Sequence, residues 1–499
     1  MSMSDELAEQ ITGTGLDARS ATAAELTGAL AAGTATAAGL AAFYQARIER
    51  LNPGLRAVIS TCPDAGEQAA ASDARRAAGQ PRGPLDGIPV LVKDNISLAG
   101  MPATAGSPAL AQAGGDDAFC ARMLRAAGAV IIGKANLSEW ANFRSRHSSS
   151  GWSTLGGQAA NPHGAGRNPS GSSSGSAVAV AAGLVPLAVG TETDGSIVSP
   201  ASVCGIAGIK PTLGLVSRTG IVPISAAQDT AGPMARTVAD AAALLTALAA
   251  ADPADPAGVD SAGQATDYAA FLDPGALDGA RLGVWRPDDL ANAGPGALAV
   301  LDAAIVTLRR AGAQVIDPVE LPDAAKIGPP EFAALTHEFK HDLNAYLRAL
   351  PGEHPCSLAD LITYNTQHAA SVLRVFGQDI LEAAEATSGD LADPEYASAR
   401  AAARRLARGA LDDALSASRL DAVLSLTGSP AWLTDHILGD HFGYASSSPA
   451  AVSGYPSVTV PAGQVRGLPV GLSFTGPAWS EPRLIALAHA FELAADSQS

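Results

Sequence analysis

Cysteine and aromatic residues are scarce in this chain of 499 residues. It contains 4 cysteines, and aromatic side chains make up 4% of the sequence. The cysteines stand far apart and form no CxxC pair, at Cys62, Cys120, Cys204 and Cys356. Disulfide-stabilised secreted domains and zinc ribbons both need closely spaced cysteines, so neither class of protein fits this sequence.

Positive charge is also limited. Lys and Arg together number 32 against 49 Asp and Glu, which gives a formal net charge of −17. A surface of that sign repels phosphate backbones and anionic lipid headgroups. We therefore expect neither nucleic acid nor a membrane surface to be a partner.

Long apolar runs are few. One uncharged stretch extends from Leu26 to Gln45, but it consists mainly of Ala, Gly and Thr, which disfavours a membrane span. It is predicted to form parts of two short helices, the first capped by Thr22 and Glu25. The N-terminal residues MSMSDELAEQ are acidic and lack the features of a secretory signal, so cytoplasmic residence is expected.

Apolar runs alternate with helical segments along most of the chain. Runs at 89–92, 129–132 and 187–190 contain β-branched residues and precede segments of helical composition. This alternation predicts an α/β fold with a largely buried sheet. A mostly helical block from about 331 to 418 then predicts a mixed sheet that is sandwiched by helices and carries a helical insertion.

The sequence HEFKH, from His337 to His341, matches the HExxH pattern of zinc peptidases. In a helix, one face would carry an apolar stripe composed of Phe332, Leu335, Phe339, Leu343 and Leu347. The two histidines would then lie on roughly the opposite face. We therefore expect surface histidines and no metal site, although a zinc peptidase stays an alternative.

Glycine and serine concentrate at 148–151 and 169–176. Residues 171–175, GSSSG, match the G-x-S-x-G nucleophile motif with Ser173 as the nucleophile. That motif requires an apolar strand before the turn, and the preceding NPHGAGRNPS provides none. The loop is therefore either a connector or a backbone that approaches a ligand closely.

Lys93 is unusual because it ends the apolar run PVLVKDN. Burial disfavours the charged form of lysine, and a neutral amine can serve as a general base. The alternative is a lysine at a strand end that reaches solvent and pairs with Asp94.

A serine nucleophile needs such a base, and two serine-rich turns offer candidates. One holds Ser172 to Ser174, and the other holds Ser196 in the run LAVGTETDGSIVSP. There an apolar strand leads into a turn in which Gly195 allows successive N–H groups to face an oxyanion. An ordinary Asp-Gly turn is the alternative interpretation.

Four stretches occur together between residues 87 and 220: GIPVLVKDNI, SGSSSGSAVAVAAG, GTETDGSIVSPAS and GIKPTLGLVSRTG. In this order they resemble the amidase signature family of Ser-cisSer-Lys amide hydrolases, and the resemblance covers nearly the whole chain. Phrases such as TETDGSIV and SGWSTLGGQ are most similar to the peptide amidases of that family, which remove the C-terminal amide of peptides. Ser170, Ser174, Asp194 and the run SIVSP depart from the tRNA-dependent amidotransferase subunits.

The resemblance implies a role for each matching residue. Ser196 would be the nucleophile, Ser172 the bridging cis-serine and Lys93 the terminal base, with Ser173 supporting the network around Lys93. The oxyanion hole would consist of the backbone N–H groups of Thr193, Asp194, Gly195 and Ser196. The implied reaction forms an acyl-enzyme and needs no cofactor.

The expected enzyme is an amidase that acts on a peptide or small-molecule amide, as a monomer or homodimer. Peptide carboxamides are the first choice of substrate, and an aryl acylamide or a urethane is the alternative. A non-catalytic subunit is the remaining reading. The substrate pocket is expected between the loops near 140–155 and 222–230 and the helical block after 330.

Composition and the resemblance together predict five segments. They are an N-terminal helical segment (1–70), an amidase signature core (71–250), a Pro- and Gly-rich linker (251–280), a helical substrate-shaping region (281–420), and C-terminal strands with a helix that complete the sheet (421–499).

Overall fold

The computed structural model describes residues 9–261 and 263–497. Its strands are β1 Val58–Thr61, β2 Pro89–Lys93, β3 Val130–Ala135, β4 Trp152–Ser153, β5 Gly157–Gln158, β6 Leu187–Glu192, β7 Ala207–Lys210, β8 Thr230–Ala235, β9 Arg281–Trp285, β10 Gln314–Val319, β11 Ala422–Leu426, β12 Ser457–Val465 and β13 Leu468–Thr475. Eleven of them form a mixed sheet with the order β1-β3-β2-β6-β8-β7-β12-β13-β11-β9-β10, and β4 and β5 form a separate two-stranded ribbon.

Helices cover the sheet and form the insertion. Within the described residues the α-helices are Ala23–Ala32, Ala37–Leu55, Ala65–Ala77, Phe119–Ala126, Ser174–Ala181, Val198–Cys204, Val238–Leu248, Pro295–Arg310, Gly328–Ala349, Leu358–Gln367, Ala369–Val372, Asp379–Glu385, Pro394–Ala417, Ser448–Ser453 and Glu481–Asp496. The predicted α/β class with a mixed sheet, covering helices and a helical insertion is confirmed. No helix in the described ranges is long and apolar enough to cross a bilayer.

The N-terminal apolar run folds as two capped helices. The Thr22 side chain accepts a hydrogen bond from the Glu25 N–H, and the Glu25 side chain accepts one from the Thr22 N–H, as a capping box requires. The second helix continues through Pro53 to Leu55, where Arg56 adopts a left-handed conformation. The predicted pair of helices is therefore confirmed.

All the segments outside 251–280 contribute strands to the one large sheet. The first segment supplies β1, which pairs antiparallel with β3. The 281–420 segment supplies β9 and β10, with the helix Pro295–Arg310 between them, and the C-terminal β11 pairs parallel with β9. The five-segment division stays a prediction, since a single sheet runs through it.

Two parallel neighbours in the sheet position the site. Strand β2 pairs with β6, with Val92 opposite Val189, and every residue of both strands is buried. Parallel strands end at the same edge of a sheet, so Lys93 at the end of β2 comes close to Thr191 near the end of β6.

A second apolar cluster attaches the insertion to the core. Phe339 of the helix Gly328–Ala349 is buried, and its ring centroid lies 5.0 Å from that of Phe143. Leu343, Leu347 and Leu361 are buried in the same cluster. The cluster therefore fixes the insertion against the loop that contains Phe143.

Replacement of Phe339 by Ala tests this attachment. We expect Phe339→Ala to lower the free energy of unfolding by about 3–5 kcal/mol, because it leaves a cavity in a packed cluster. Urea unfolding measures the change. The control is Arg348→Ala on the exposed side of the same helix, which should alter stability by less than about 0.5 kcal/mol. An equal loss of stability in both variants would contradict the attachment of the insertion through Phe339.

Candidate active site

Lys93 is completely buried at the end of β2. Its Nζ lies 2.8 Å from Ser172 Oγ and donates to two atoms of Thr191, the carbonyl O at 3.1 Å and Oγ1 at 2.9 Å. Burial lowers the pKa of Lys93 to about 7, against the opposing effect of the Asp229 and Glu192 charges. The amine is therefore partly neutral near physiological pH.

Asp94, which the alternative interpretation pairs with Lys93, binds other side chains. Asp94 Oδ1 lies 3.2 Å from Lys134 Nζ, and the other Asp94 oxygen accepts a hydrogen bond from the Thr104 hydroxyl. Lys134 Nζ also donates to the carbonyl of Ile96 at 2.7 Å. The interpretation of Lys93 as a strand-end lysine paired with Asp94 is therefore wrong, because the two side chains occupy different sites.

Ser172 lies in a buried loop with a cis peptide bond between Gly171 and Ser172. The Ser138 N–H donates to the Ser172 carbonyl at 3.1 Å, and the Ser173 N–H donates to the Ser196 carbonyl at 3.1 Å. A Cβ at Gly171 would lie 2.2 Å from Ser138 Oγ. The loop therefore packs closely on both the 138 segment and the 196 turn, and Gly171 is required for that approach.

Ser173 supports the same network from the side. Its hydroxyl accepts from the Thr191 N–H at 3.1 Å and donates to the Thr191 carbonyl at 3.0 Å. Ser173 is fully buried. It thus holds the residue to which Lys93 donates, and it lacks the exposure that the G-x-S-x-G nucleophile motif requires.

Ser196 lies in the turn that follows β6 and is 8% exposed. Gly195 has φ 77°, which favours glycine at this position. The backbone N–H groups of residues 193–196 donate to no acceptor within the described part of the chain. Such unpaired donors at a turn can bind a developing oxyanion.

The Glu192 side chain fixes the end of this turn. Its Oε2 accepts hydrogen bonds from the N–H groups of Ile197 at 2.7 Å and Val198 at 3.0 Å, at the start of the helix Val198–Cys204. A carboxylate there also compensates the helix dipole. Ser196 is thus held between the strand and the helix.

A cavity of about 310 Å³ opens in front of Ser196. Its walls consist of three groups of residues. They are the serine-rich loop and the turn after β6 (Ser170, Gly171, Thr193, Asp194, Gly195, Ser196 and Ser199), a side wall (Ala141, Asn142, Phe143, Ser150, Ile224 and Leu335) and a C-terminal group (Trp432, Asp440, Phe442, Ala445, Ser447 and Ser448). Its size and mixed lining are typical of small-ligand sites.

Comparison with known proteins identifies the family. A sequence profile described as Amidase matches residues 40–485. The chain belongs to the amidase family. The family and the fold predicted from its sequence are therefore confirmed, and the protein is a hydrolase that acts on amide bonds.

Three relatives of this amidase illustrate the likeness. The native peptide amidase from Stenotrophomonas maltophilia is 50% identical, with a TM-score of 0.91, and the match covers 96% of this chain and 97% of that one. The peptide amidase PAM in complex with the competitive inhibitor chymostatin is 51% identical, with a TM-score of 0.92 and coverage of 95% and 97%. A probable amidase of Arabidopsis thaliana is 42% identical over 471 residues, 92% of this chain and 87% of that protein.

Residues 430–445 form a wall of the amidase pocket that the sequence analysis missed. Asp440 fixes this loop by accepting hydrogen bonds from the Ser150 N–H at 2.9 Å and from Trp432 Nε1 at 3.2 Å. Beyond it, three apolar side chains are exposed, Ile437 at 89%, Leu438 at 65% and Phe442 at 59%. The sequence shows these apolar residues clustered in a loop that contains Gly and Asp, and this pattern could have indicated a wall of the pocket.

The prediction of exposed histidines on the HEFKH helix is confirmed for His341 and wrong for His337. His341 is exposed, but His337 is buried, with its Nδ1 3.0 Å from the Ala333 carbonyl. Glu338 binds Arg400 in a buried ion pair. His337 is buried because the helix Pro394–Ala417 packs against the side of this helix opposite the apolar stripe. Within the described residues, no group of three His, Cys, Asp or Glu could hold a metal ion.

Replacement of Lys93 by Met tests its role in the amidase. We expect Lys93→Met to lower kcat/KM by about 10³-fold, because the variant lacks a base beside Ser172. In the unchanged enzyme, kcat/KM should rise with pH through about 7, since only the neutral amine accepts a proton.

Exposed Lys326 supplies the matched control for that replacement. Lys326→Met should retain full activity and the same pH profile. Ammonia release from an amide substrate provides the rates. An active Lys93→Met enzyme contradicts a basic role for this lysine.

Proposed function

We propose that this amidase hydrolyses the C-terminal carboxamide of peptides through a Lys93–Ser172–Ser196 relay and an acyl-enzyme. The observation that carries this proposal is the 2.8 Å contact between the buried Lys93 Nζ and Ser172 Oγ, next to the Ser196 turn. We further propose that it acts on peptide or small-molecule amides in the cytoplasm, as a monomer or homodimer, without a cofactor.

The hydrogen bonds of Lys93 favour a basic amine. A neutral amine has two N–H groups and one lone pair, and Thr191 supplies two acceptors for the N–H groups. The lone pair is then left for the Ser172 hydroxyl. Protonation of Lys93 would add a third N–H group, for which the Ser172 oxygen would be the acceptor. Ser172 could then no longer pass a proton to Lys93.

Acylation follows from this arrangement. Lys93 takes the proton of Ser172, Ser172 takes that of Ser196, and the Ser196 oxygen attacks the amide carbonyl. The backbone N–H groups of residues 193–196 stabilise the tetrahedral oxyanion, and a single donor of this kind contributes about 3–4 kcal/mol in other enzymes. Ser172 then protonates the leaving nitrogen and regains a proton from Lys93, so that the amine is neutral again. Ammonia departs, and an ester to Ser196 remains.

Deacylation uses the same groups in the same order. A water molecule takes the place of ammonia and gives its proton to the Ser172–Lys93 relay. Its oxygen attacks the ester carbonyl, and the collapse of the second tetrahedral intermediate returns a proton to Ser196. The products are a carboxylic acid and the free enzyme.

The charges in the pocket favour a neutral amide over a carboxylate. Asp194 and Asp440 both line the cavity that holds Ser196. A negatively charged product is repelled from these side chains, whereas a carboxamide is not. The apolar side chains of Phe143, Trp432 and Phe442 offer contacts for the side chains of a peptide. The similarity to a peptide amidase that binds the competitive inhibitor chymostatin supports a peptide as the substrate.

Replacement of Ser196 by Ala, with a panel of substrates, tests the mechanism and the substrate class. We expect the unchanged enzyme to release ammonia from peptide carboxamides and to form a Ser196 ester that mass spectrometry detects after rapid quenching. Ser196→Ala should lose about 10⁴-fold or more in kcat/KM and form no ester, since it lacks the nucleophile.

The control for Ser196→Ala is Ser497→Ala, which changes an exposed serine at the end of the last helix. It should retain activity. Hydrolysis of anilides or urethanes without hydrolysis of peptide carboxamides would replace the proposed substrate with the alternative class. Chelator-sensitive activity that persists in Ser196→Ala would instead indicate a zinc peptidase.

The exposed apolar loop beside the pocket gives a test of specificity. We expect Phe442→Ala to raise KM about tenfold for peptide amides with large apolar C-terminal side chains, because burial of one such ring contributes about 1.5–3 kcal/mol. The KM for glycinamide-ending peptides should change little. Exposed Val259 provides the control variant, Val259→Ala. An equal change in KM for both substrate types contradicts a side-chain contact.

A further inference from the structure

The helix Gly328–Ala349 places a buried carboxyl group beside the turn that carries Ser196. Glu331 Oε1 accepts a hydrogen bond from Gln228 Nε2 at 2.6 Å. The same Gln228 nitrogen donates to the Thr193 carbonyl at 2.9 Å. One amide group therefore joins the inserted helix to the first residue of the proposed oxyanion turn.

The orientation of Gln228 is fixed from its other side. Arg400 Nη1 donates to Gln228 Oε1 at 2.9 Å, which identifies the oxygen and directs the NH₂ group at Thr193 and Glu331. The Arg400 guanidinium is itself bound to Glu338, with Nε 2.7 Å from Oε1. The negative charge of Glu338 therefore offsets most of the effect of the Arg400 charge on Glu331.

Glu331 also contacts the carboxyl group of Asp194. Asp194 accepts hydrogen bonds from the hydroxyl groups of Ser447 and Ser448, which stabilise its ionised form. Glu331 is buried and Asp194 is partly exposed at the cavity, so two adjacent carboxyl groups with little access to water cannot both ionise without strong repulsion. The pair therefore retains a proton, and the hydroxyl donors on Asp194 place it on Glu331.

The charged groups that face this pair are few. Asp194 faces Glu331 from the turn, and Arg400 faces it from the helix Pro394–Ala417. Lys210 from β7 and Glu192 from β6 face Asp194. Burial together with the Asp194 charge raises the pKa of Glu331 to about 8. Burial lowers the pKa of Lys210 to about 8 as well, so a test must separate these two groups.

We propose that Glu331 is a positioning residue that, as a neutral carboxylic acid, donates to Asp194 and holds the Thr193–Ser196 turn in its active conformation. The loss of its proton then sets the alkaline limit of hydrolysis. This proposal rests on the proposed function, because it concerns the turn that binds the oxyanion. A second negative charge beside Asp194 would separate the two carboxyl groups and oppose the charge of the tetrahedral intermediate.

The test is the pH dependence of kcat/KM for an N-acetylated peptide amide, which has no titrating group in the range studied. The unchanged enzyme should lose activity above about pH 8. Glu331→Gln keeps a neutral donor and an acceptor of the same shape. We expect its kcat/KM near neutral pH to stay within about threefold of the unchanged enzyme and its alkaline limb to move up by about one pH unit or more.

Two further variants define the outcome. Glu395→Gln changes an exposed carboxylate on the helix Pro394–Ala417 and should keep the original alkaline limb. Glu331→Ala removes both contacts and should lower kcat by about tenfold throughout, with a smaller change in KM. An alkaline limb that persists unchanged in Glu331→Gln overturns the proposal and assigns the limb to another group such as Lys210.

Infrared spectroscopy of the unchanged enzyme provides a second test, which applies even if Glu331→Gln does not fold. Infrared difference spectra of the unchanged enzyme should show loss of a protonated carboxyl band with a midpoint near pH 8. The absence of such a band overturns the proposal. If the unchanged enzyme releases no ammonia from peptide amides, the proposed function fails, while the infrared titration still reports on the carboxyl pair.

Discussion

A completely buried amine, that of Lys93, lies in contact with the buried hydroxyl of Ser172. Lys93 has no access to water, and Thr191 offers two acceptors for its N–H groups. Ser173 in turn fixes the backbone of Thr191. The chemistry proposed for Ser196 needs this arrangement, because a solvated ammonium group has no lone pair to offer.

The charges near the site are divided between two sides of the Ser196 turn. On the sheet side, Glu192 binds the start of the following helix and Lys93 lies beneath. On the insertion side, Asp194, Glu331 and the Arg400–Glu338 pair form a continuous hydrogen-bonded group through Gln228. The inserted helices therefore do more than enclose a pocket, since their polar side chains reach the turn that surrounds the nucleophile.

Much of the fold could be predicted from local patterns. The runs at 89–92 and 187–190 gave buried parallel strands, because continuous apolar segments with β-branched residues suit the interior of such a sheet. His337 shows where pattern reasoning failed. An apolar stripe identifies one buried side of a helix, but it contains no information about a second helix that packs against the other side.

The family, the mixed α/β sheet and the residues proposed for catalysis could be predicted from the sequence, because each depends on short motifs whose residues are neighbours along the chain. The desolvation of Lys93 and its hydrogen bonds to Thr191 could be seen only in the folded structure, which brings these groups together, since a pKa depends on every group packed around the amine. The folded structure also shows that residues 430–445 and Glu331 meet the Ser196 turn. Their separation along the chain exceeds 100 residues, so only folding brings these groups together.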